Sequence, residues 1–223
     1  MTLLPQEEGL EILKVLDQYF PKRFDGEDSI QWLHRFSNQK KQDEWAAFFF
    51  QEYSFPLLTR FLGGWKGPRI TKSSRFDYQR EYVWDIKLEA NHNIKGNPSQ
   101  WTILNDIRST NRVIDLESGI GLVIANADFT YDKDGSLRKW REKLEEKKSR
   151  EIVKGTRVLK KAGQITDLKA IFIPDMKEVQ NGIKKGWFSI FKQGRNSNGK
   201  PREPKYMIKI SDVPPEFITN LKE

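Results

Sequence analysis

The feature that most constrains the fold is a continuous apolar run at residues 119–127, GIGLVIANA. A run without polar alternation is typical of a strand covered on both faces, so we expect it at the centre of a sheet. A second run, LKAIFI at 168–173, stops at Pro174 and predicts another buried strand. A charge-rich helix predicted at 135–151 separates the two. This alternation predicts an α/β fold with a central mixed β-sheet flanked by helices.

The rest of the chain divides into a helical beginning, a central core and a late hairpin. Apolar spacing predicts helices at 7–20, 28–37 and 41–53, the last closed by Pro56, and further helices at 101–113 and 175–185. Strands are predicted at 74–79 and 82–90, and a hairpin at 187–191 and 205–210. We expect a single domain with parts at 1–62, 63–175 and 176–223. The N-terminal aromatics are candidates for core or for dimer contact: Trp32, Trp45 and Phe48 to Phe50.

Composition limits the chemistry. Lys and Arg outnumber Asp and Glu by 39 to 31, and the net charge of +8 favours a polyanionic partner such as nucleic acid or an acidic membrane surface. The absence of cysteine excludes disulfides and thiolate sites, and two histidines are too few for a histidine-rich metal centre. Any metal must be held mainly by oxygen. With no long apolar run and no leader pattern, we expect a cytoplasmic protein without membrane association.

The segment 82–90 carries the residues best suited to catalysis. Side chains alternate along a strand, so Asp85, Lys87 and Glu89 share one face. If 74–79 pairs with this strand through a tight turn, Asp77 lies roughly opposite Asp85, with Cβ atoms within about 5 Å. Two carboxylates that close favour a divalent ion between them, with Lys87 orienting or activating water. The Gln-Arg-Glu turn has none of the Gly or Asn that such hairpins favour.

A structural interpretation of the same residues stays open. Asp85 and Lys87 can form an exposed ion pair with Glu89 nearby, which is worth about 0–1 kcal/mol and has no function. A similar choice applies to the loop 91–100, where Asn, Gly and Pro are also ordinary turn formers.

The residues FD at 76–77 and WDIK at 84–87 resemble the PD-(D/E)XK nuclease motif, with Phe76 in place of proline. The predicted helix, buried strand and helix that follow resemble the type II restriction endonucleases of that superfamily. The resemblance implies a restriction-endonuclease-like fold and Mg²⁺-dependent DNA hydrolysis leaving 5′-phosphate and 3′-hydroxyl ends. It also implies a homodimer that cuts double-stranded DNA in a bacterial cytoplasm without a small organic cofactor. Its implied catalytic residues are Asp77, Asp85 and Lys87, and its implied metal ligands are Asp77, Asp85, Ile86 and Glu52, with Glu44 as another helix candidate for the last.

Three polar or basic segments are the expected DNA contacts. Asn pairs best with adenine edges, and Lys and Arg with phosphate or guanine. The candidates before the first acidic residue are Arg69, Lys72 and Arg75. Those after the 82–90 strand are Asn91, His92, Asn93, Lys95 and Asn97, and those in the late loop are Lys192, Arg195, Asn196, Asn198, Lys200 and Arg202.

Two other functions compete with a site-specific endonuclease. One is a repair or structure-specific nuclease of the same fold, which a digest of mapped DNA would distinguish by the absence of discrete fragments. The other is a non-catalytic nucleic-acid-binding protein with structural carboxylates. Variants at Asp85 and Lys87 separate this second alternative, because they abolish cutting only if the site is catalytic.

Overall fold

A computed structural model describes residues 3–39, 43–73, 76–146, 158–195 and 199–221. Three of the expected DNA contacts, Arg75, Asn196 and Asn198, lie outside the described residues, as do 147–151 at the end of the predicted 135–151 helix. The helices are α1 Pro5–Tyr19, α2 Gly26–Phe36, α3 Trp45–Leu62, α4 Ile107–Leu116, α5 Ser136–Leu144 and α6 Met176–Lys185. The strands are β1 Arg23–Asp25, β2 Tyr78–Gln79, β3 Val83–Ala90, β4 Trp101–Asp106, β5 Ile120–Tyr131, β6 Lys160–Ile173, β7 Phe188–Phe191, β8 Lys205–Lys209 and β9 Ile218–Asn220.

The main sheet is mixed, which confirms the predicted mixed α/β arrangement. Its order is β1-β6-β5-β3-β2, and β9 pairs with β6 beside that path. Strand β3 runs parallel to β5, while the other pairs in this sheet are antiparallel. The predicted central position of the 119–127 run is confirmed, because β5 lies between β3 and β6. A second, antiparallel sheet has the order β4-β8-β7, so the predicted late hairpin is also confirmed.

Each face of the main sheet is covered by its own apolar cluster. On one face, Trp84, Ile86 and Leu88 of β3 pack with side chains of the three N-terminal helices. On the other, Val83 packs with residues of β5, α4 and the second sheet. The polar residues of β3 share the face of Val83, so the strand turns apolar side chains toward the helices and polar ones toward the second sheet. The N-terminal aromatics are core: Trp45, Phe49 and Phe50 are buried, and Trp32 and Phe48 pack against them.

The prediction that Pro56 ends the third helix is wrong. Helix α3 continues through Pro56 to Leu62, and Gly63 follows with φ 78°. Proline removes one hydrogen bond from the helix, the one to the carbonyl of Glu52. The helix continues because apolar residues follow on the same buried face, of which Leu58 is fully buried. Tertiary packing therefore outweighs the local cost of proline.

The predicted helix at 101–113 is partly wrong. Its first six residues form β4, and only α4, Ile107–Leu116, is helical. Within β4 burial alternates, with Thr102 and Leu104 inside, which is the period of a strand. Asp106 then begins the helix by accepting a 3.0 Å hydrogen bond from the Ser109 backbone N–H. The helical spacing of apolar residues in the sequence concealed this strand-to-helix junction.

Candidate active site

The hairpin of β2 and β3 brings the two predicted carboxylates together. Tyr78 pairs with Trp84 and Gln79 with Val83, and the same register places Asp77 opposite Asp85. The Asp77 backbone N–H donates to the Trp84 carbonyl at 3.2 Å. Asp77 Oδ2 in turn accepts a 2.7 Å hydrogen bond from the Ile86 backbone N–H. The carboxylate of Asp77 is therefore fixed against the strand that carries Asp85.

The turn of this hairpin is stabilised from outside. Its residues lack the conformational freedom of glycine, but a buried carboxylate from α1, Glu8, accepts hydrogen bonds from the backbone N–H groups of Glu81 at 3.1 Å and Tyr82 at 3.3 Å. Glu8 also accepts from Trp84 Nε1 at 2.8 Å. One side chain from the N-terminal helix thus compensates for the unfavourable turn sequence and holds the strand next to Asp85.

Asp85 and Lys87 form a close and mostly buried ion pair. Lys87 Nζ lies 2.9 Å from Asp85 Oδ2, and the two side chains are 16% and 1% exposed. Asn105 Nδ2 donates to the same oxygen at 3.2 Å. With both carboxylates ionised, the other oxygen, Asp85 Oδ1, is buried and has no hydrogen-bond partner among the described residues. This arrangement differs from an exposed ion pair, because both side chains are mostly buried. A buried carboxylate oxygen without a partner is also energetically costly.

Electrostatics couple the three side chains. Burial raises the pKa of Asp77 well above its ordinary value. The charge of Asp85 and a hydrogen bond that protonated Asp77 can make to it raise this pKa further, against the opposing effects of Lys87 and the Ile86 N–H. Burial alone would lower the pKa of Lys87, but Asp85 and Asp77 outweigh it, so this pKa is raised. When both carboxylates are ionised, their two negative charges face the single positive charge of Lys87, and a cation would stabilise this ionised state.

The donor set fits a magnesium ion that retains several waters. Asp85 Oδ1 and the Asp77 carboxylate could offer the hard oxygen ligands that Mg²⁺ prefers. Ile86 can offer only its backbone carbonyl, which accepts from Gln51 Nε2 at 2.9 Å and keeps a second lone pair. Among the described residues, no three His, Asp or Glu side chains converge as a metal-binding group. Protein ligation by the two carboxylates, completed by water, therefore suits the site.

The expected helix ligand is engaged elsewhere in this conformation. Glu52 Oε1 lies 3.0 Å from Lys66 Nζ. Both residues line the same open cavity as Asp77 and Lys87, with a volume of about 970 Å³. Glu44 and Glu89 line it as well. Glu52 as a metal ligand remains a prediction, and it would require this carboxylate to leave Lys66.

Sequence reasoning missed the two amides that hold this site. Gln51 of α3 donates to the Ile86 carbonyl, and Asn105 of β4 donates to Asp85. Both also line the cavity. Neither belongs to a sequence motif, and the apolar spacing predicts a helix at Asn105. Only the approach of α3 and of the second sheet to β3 reveals them.

The segment before Asp77 is held by a buried carboxylate. Glu117 Oε1 accepts from the backbone N–H groups of Ile70 at 2.9 Å and Thr71 at 2.8 Å, and Oε2 accepts from Gln79 Nε2 at 3.2 Å. The guanidinium of Arg69, an expected DNA contact, stacks 4.5 Å from the ring centre of Trp65. Lys72, another, has a left-handed backbone with φ 50°. Arg69 and Lys72 therefore lie on an anchored segment that shortly precedes Asp77 in the sequence.

The loop after β3 has structural roles for some of its amides. Asn91 Nδ2 donates to Asp128 Oδ1 at 2.8 Å and to Thr166 Oγ1 at 2.9 Å, which ties the end of β3 to β5 and β6. Asn93 Oδ1 accepts from the backbone N–H groups of Lys95 and Asn97, as in an ordinary turn. Three further expected contacts, His92, Lys95 and Asn97, are exposed.

The late basic loop joins β7 to β8 and is exposed. Arg195 Nη1 donates to the Gly199 carbonyl at 2.8 Å, and the Arg202 backbone N–H donates to the Gly194 carbonyl at 3.0 Å. Lys192, Arg195, Lys200 and Arg202 all have exposed side chains. None of the described residues of this loop lines the cavity beside Asp77. DNA contact by this loop remains a prediction.

A second Asp-x-Lys triplet shows what distinguishes the first. Asp167 and Lys169 of β6 form an ion pair with a 2.8 Å separation, and their side chains are 49% and 21% exposed. Asp167 lies opposite Asn126, so no carboxylate faces it in the ladder. This pair matches the functionless interpretation of the motif. The environment, rather than the triplet, makes the pair at 85–87 chemically unusual.

No described protein family and no curated protein matches this sequence. The fold is similar to a crystal structure of the restriction endonuclease BglI bound to its DNA recognition sequence, with 9% sequence identity and a TM-score of 0.40. The alignment covers 98% of this chain and 90% of that one. No helix among the described residues is long and apolar enough to cross a bilayer.

Proposed function

We propose that this protein is a Mg²⁺-dependent endonuclease that cuts double-stranded DNA at a specific sequence, as type II restriction enzymes do. The observation that carries the proposal is the cluster of buried Asp85 with partly buried Asp77 and Lys87, in which one oxygen of the ionised Asp85 has no partner among the described residues. Asp77 and Lys87 line an open cavity of about 970 Å³ that a substrate could enter. The basic chain supports a polyanionic substrate.

Each member of the triad has a distinct role in this proposal. Asp77 and Asp85 would hold the metal, which supplies charge neutralisation at phosphorus and a more acidic bound water. Lys87, kept as an ammonium by the two carboxylates, donates toward the scissile phosphate and stabilises the charge that develops there. The products are a 5′-phosphate and a 3′-hydroxyl. A homodimer would place two such sites on the two strands of a palindrome.

The decisive experiment compares two Asp-x-Lys pairs in one chain. We expect Asp85→Ala and Lys87→Ala each to lower the rate of plasmid cleavage in Mg²⁺ by at least about 100-fold while DNA binding persists. The matched variants Asp167→Ala and Lys169→Ala remove an equivalent, more exposed pair on β6 and should cut like the wild type. Ca²⁺ should support binding without cutting, because it coordinates more loosely.

The digest also tests the type of nuclease. Discrete fragments from mapped linear DNA support sequence-specific cutting, whereas a smear or cutting limited to branched DNA indicates a repair or structure-specific enzyme. Binding without any cutting in Mg²⁺ by the wild type, or equal cutting by the Asp85 and Lys87 variants, would contradict the assigned site.

A further inference from the structure

Two side chains of strand β4, in the second sheet, contact the polar face of β3. The hydroxyl of Thr102 donates to Glu89, and Asn105 Nδ2 donates to Asp85 Oδ2. Thr102 and Asn105 are three residues apart, so in a regular strand their side chains would point to opposite faces. Both nevertheless contact β3. The backbone between Thr102 and Asn105 must therefore change the direction of one side chain.

A β-bulge in β4 explains this geometry. The pairing with β8 runs in register as far as Ile103 with Met207, and resumes at Asp106 with Lys205. Three steps along β4 therefore match two steps along β8, which adds one residue between Ile103 and Asp106. Bulges change the direction of a side chain and are frequent beside active sites. Here Leu104 stays in the apolar core, while Asn105 is directed at Asp85.

The consequence is an asymmetric environment for the two oxygens of Asp85. Oδ2 receives two donors, Lys87 Nζ at 2.9 Å and Asn105 Nδ2 at 3.2 Å. Oδ1 receives none and is buried. With two donors on the same oxygen, the carboxylate cannot rotate about its last bond without breaking both contacts. Asn105 therefore does more than satisfy Asp85, because it determines which oxygen stays available.

We propose that Asn105 is a positioning residue for the metal, fixing the Asp85 carboxylate so that Oδ1 remains free to bind a divalent cation. This inference rests on the proposed function. It predicts that loss of the amide weakens metal binding itself. Removing a hydrogen-bond partner of a ligating carboxylate typically costs about 10- to 100-fold in metal affinity or activity. We expect an effect of that size at Asn105.

Direct titration with Mn²⁺ tests the proposal without relying on cleavage. Mn²⁺ accepts the same hard oxygen ligands and is followed by electron paramagnetic resonance. The full-length protein is compared with Asn105→Ala and with Asn105→Leu, which keeps the side-chain volume but has no donor. The matched control is Asn181→Ala on α6, which removes another amide-to-carboxylate bond, the one from Asn181 Nδ2 to Glu178 Oε1 at 3.2 Å.

We expect the Mn²⁺ dissociation constant to rise about 10- to 100-fold in the folded Asn105 variants and to stay unchanged in Asn181→Ala. Circular dichroism and thermal unfolding identify the variants that are folded. The Leu variant keeps the test valid if Ala disturbs the bulge. Affinities equal to the wild type in a folded Asn105 variant would overturn the positioning role.

Failure of the proposed function gives a different pattern. If the wild type binds Mn²⁺ no better than Asp85→Ala, there is no metal site at Asp85 and both proposals fall. If the wild type binds and cleaves, the dependence on metal concentration decides the role of Asn105. Cleavage by the Asn105 variants that recovers at saturating Mn²⁺ supports positioning, whereas an equal cleavage defect at every Mn²⁺ concentration overturns it.

Discussion

Glu117 anchors the segment before Asp77, and two substitutions of this residue test that role to different degrees. The carboxylate is 4% exposed and accepts three hydrogen bonds, two from backbone N–H groups of Ile70 and Thr71 and one from the Gln79 amide. The two backbone donors share Oε1, and the Gln79 donor meets Oε2. Substitution by Gln or by Ala therefore removes different numbers of bonds.

The magnitudes follow from that division. In Glu117→Gln the remaining carbonyl can still accept from Ile70 and Thr71, but the new amide faces the amide of Gln79, so one bond to a charged acceptor is lost, at about 1.5 kcal/mol. In Glu117→Ala all three bonds are lost. Because removing a buried charge offsets part of that cost, we expect a loss in unfolding free energy of about 3 kcal/mol.

Urea unfolding followed by circular dichroism measures both values. The exposed carboxylate of Glu216 provides the control, and Glu216→Ala should stay within about 0.5 kcal/mol of the wild type. Arg69 and Lys72 lie on the same segment, so under the proposed function Glu117→Ala should also reduce the salt dependence of DNA binding, by at most about two phosphate contacts. An Ala variant no less stable than the Gln variant would refute the reasoning about the three bonds.

Two further substitutions test the packing around β3. Gly121→Ala should destabilise by about 2–4 kcal/mol in urea unfolding, because a Cβ there would lie 2.1 Å from the Trp84 ring, whereas Gly194→Ala meets open space and should be nearly neutral. Burial raises the pKa of Glu8 above 4.5, so its contribution to stability is largest at low pH and falls as the pH rises through the raised value. The loss of unfolding free energy in Glu8→Gln should therefore shrink as the pH rises from the ordinary pKa of Glu through the raised one. Urea unfolding at several pH values measures this loss, and a loss that grows with pH would contradict the reasoning.

The sequence predicted which side chains of β3 share a face, because a strand's alternation is a local property. Placing Asp85, Lys87 and Glu89 on one face required only the period of two, and the structure has that face. The Asp-x-Lys triplet alone does not distinguish the pair at 85–87 from other pairs in the chain. The chain contains three Asp-x-Lys triplets, beginning at Asp85, Asp167 and Asp175, and Asp175 only begins a helix by accepting from the Glu178 N–H.

The features that could not be predicted depend on contacts distant in the sequence. The turn before β3 lacks glycine, and its support comes from Glu8, more than seventy positions away along the chain. Asn105 reaches Asp85 only because a second sheet packs beside the first and contains a bulge. In the third helix, local breaking by Pro56 was outweighed by burial on both sides of it. Each of these is a tertiary effect that overrides a local preference.

The site combines a rigid frame with an unsatisfied centre. Glu8 fixes the turn, Gln51 fixes the Ile86 carbonyl and Asn105 fixes Asp85, so most polar atoms around the triad are already paired. The exception is Asp85 Oδ1, beside the carboxylate of Asp77, whose pKa is raised by burial and by Asp85 itself. Glu142 Oε2 is also buried without a hydrogen-bond partner among the described residues, so a missing partner does not by itself mark a metal site. Asp85 differs because a second carboxylate, Asp77, lies opposite it and repels it. At the proposed metal site, a bound cation would relieve the repulsion between these two carboxylates, and a ligand that binds only the folded chain would stabilise the fold.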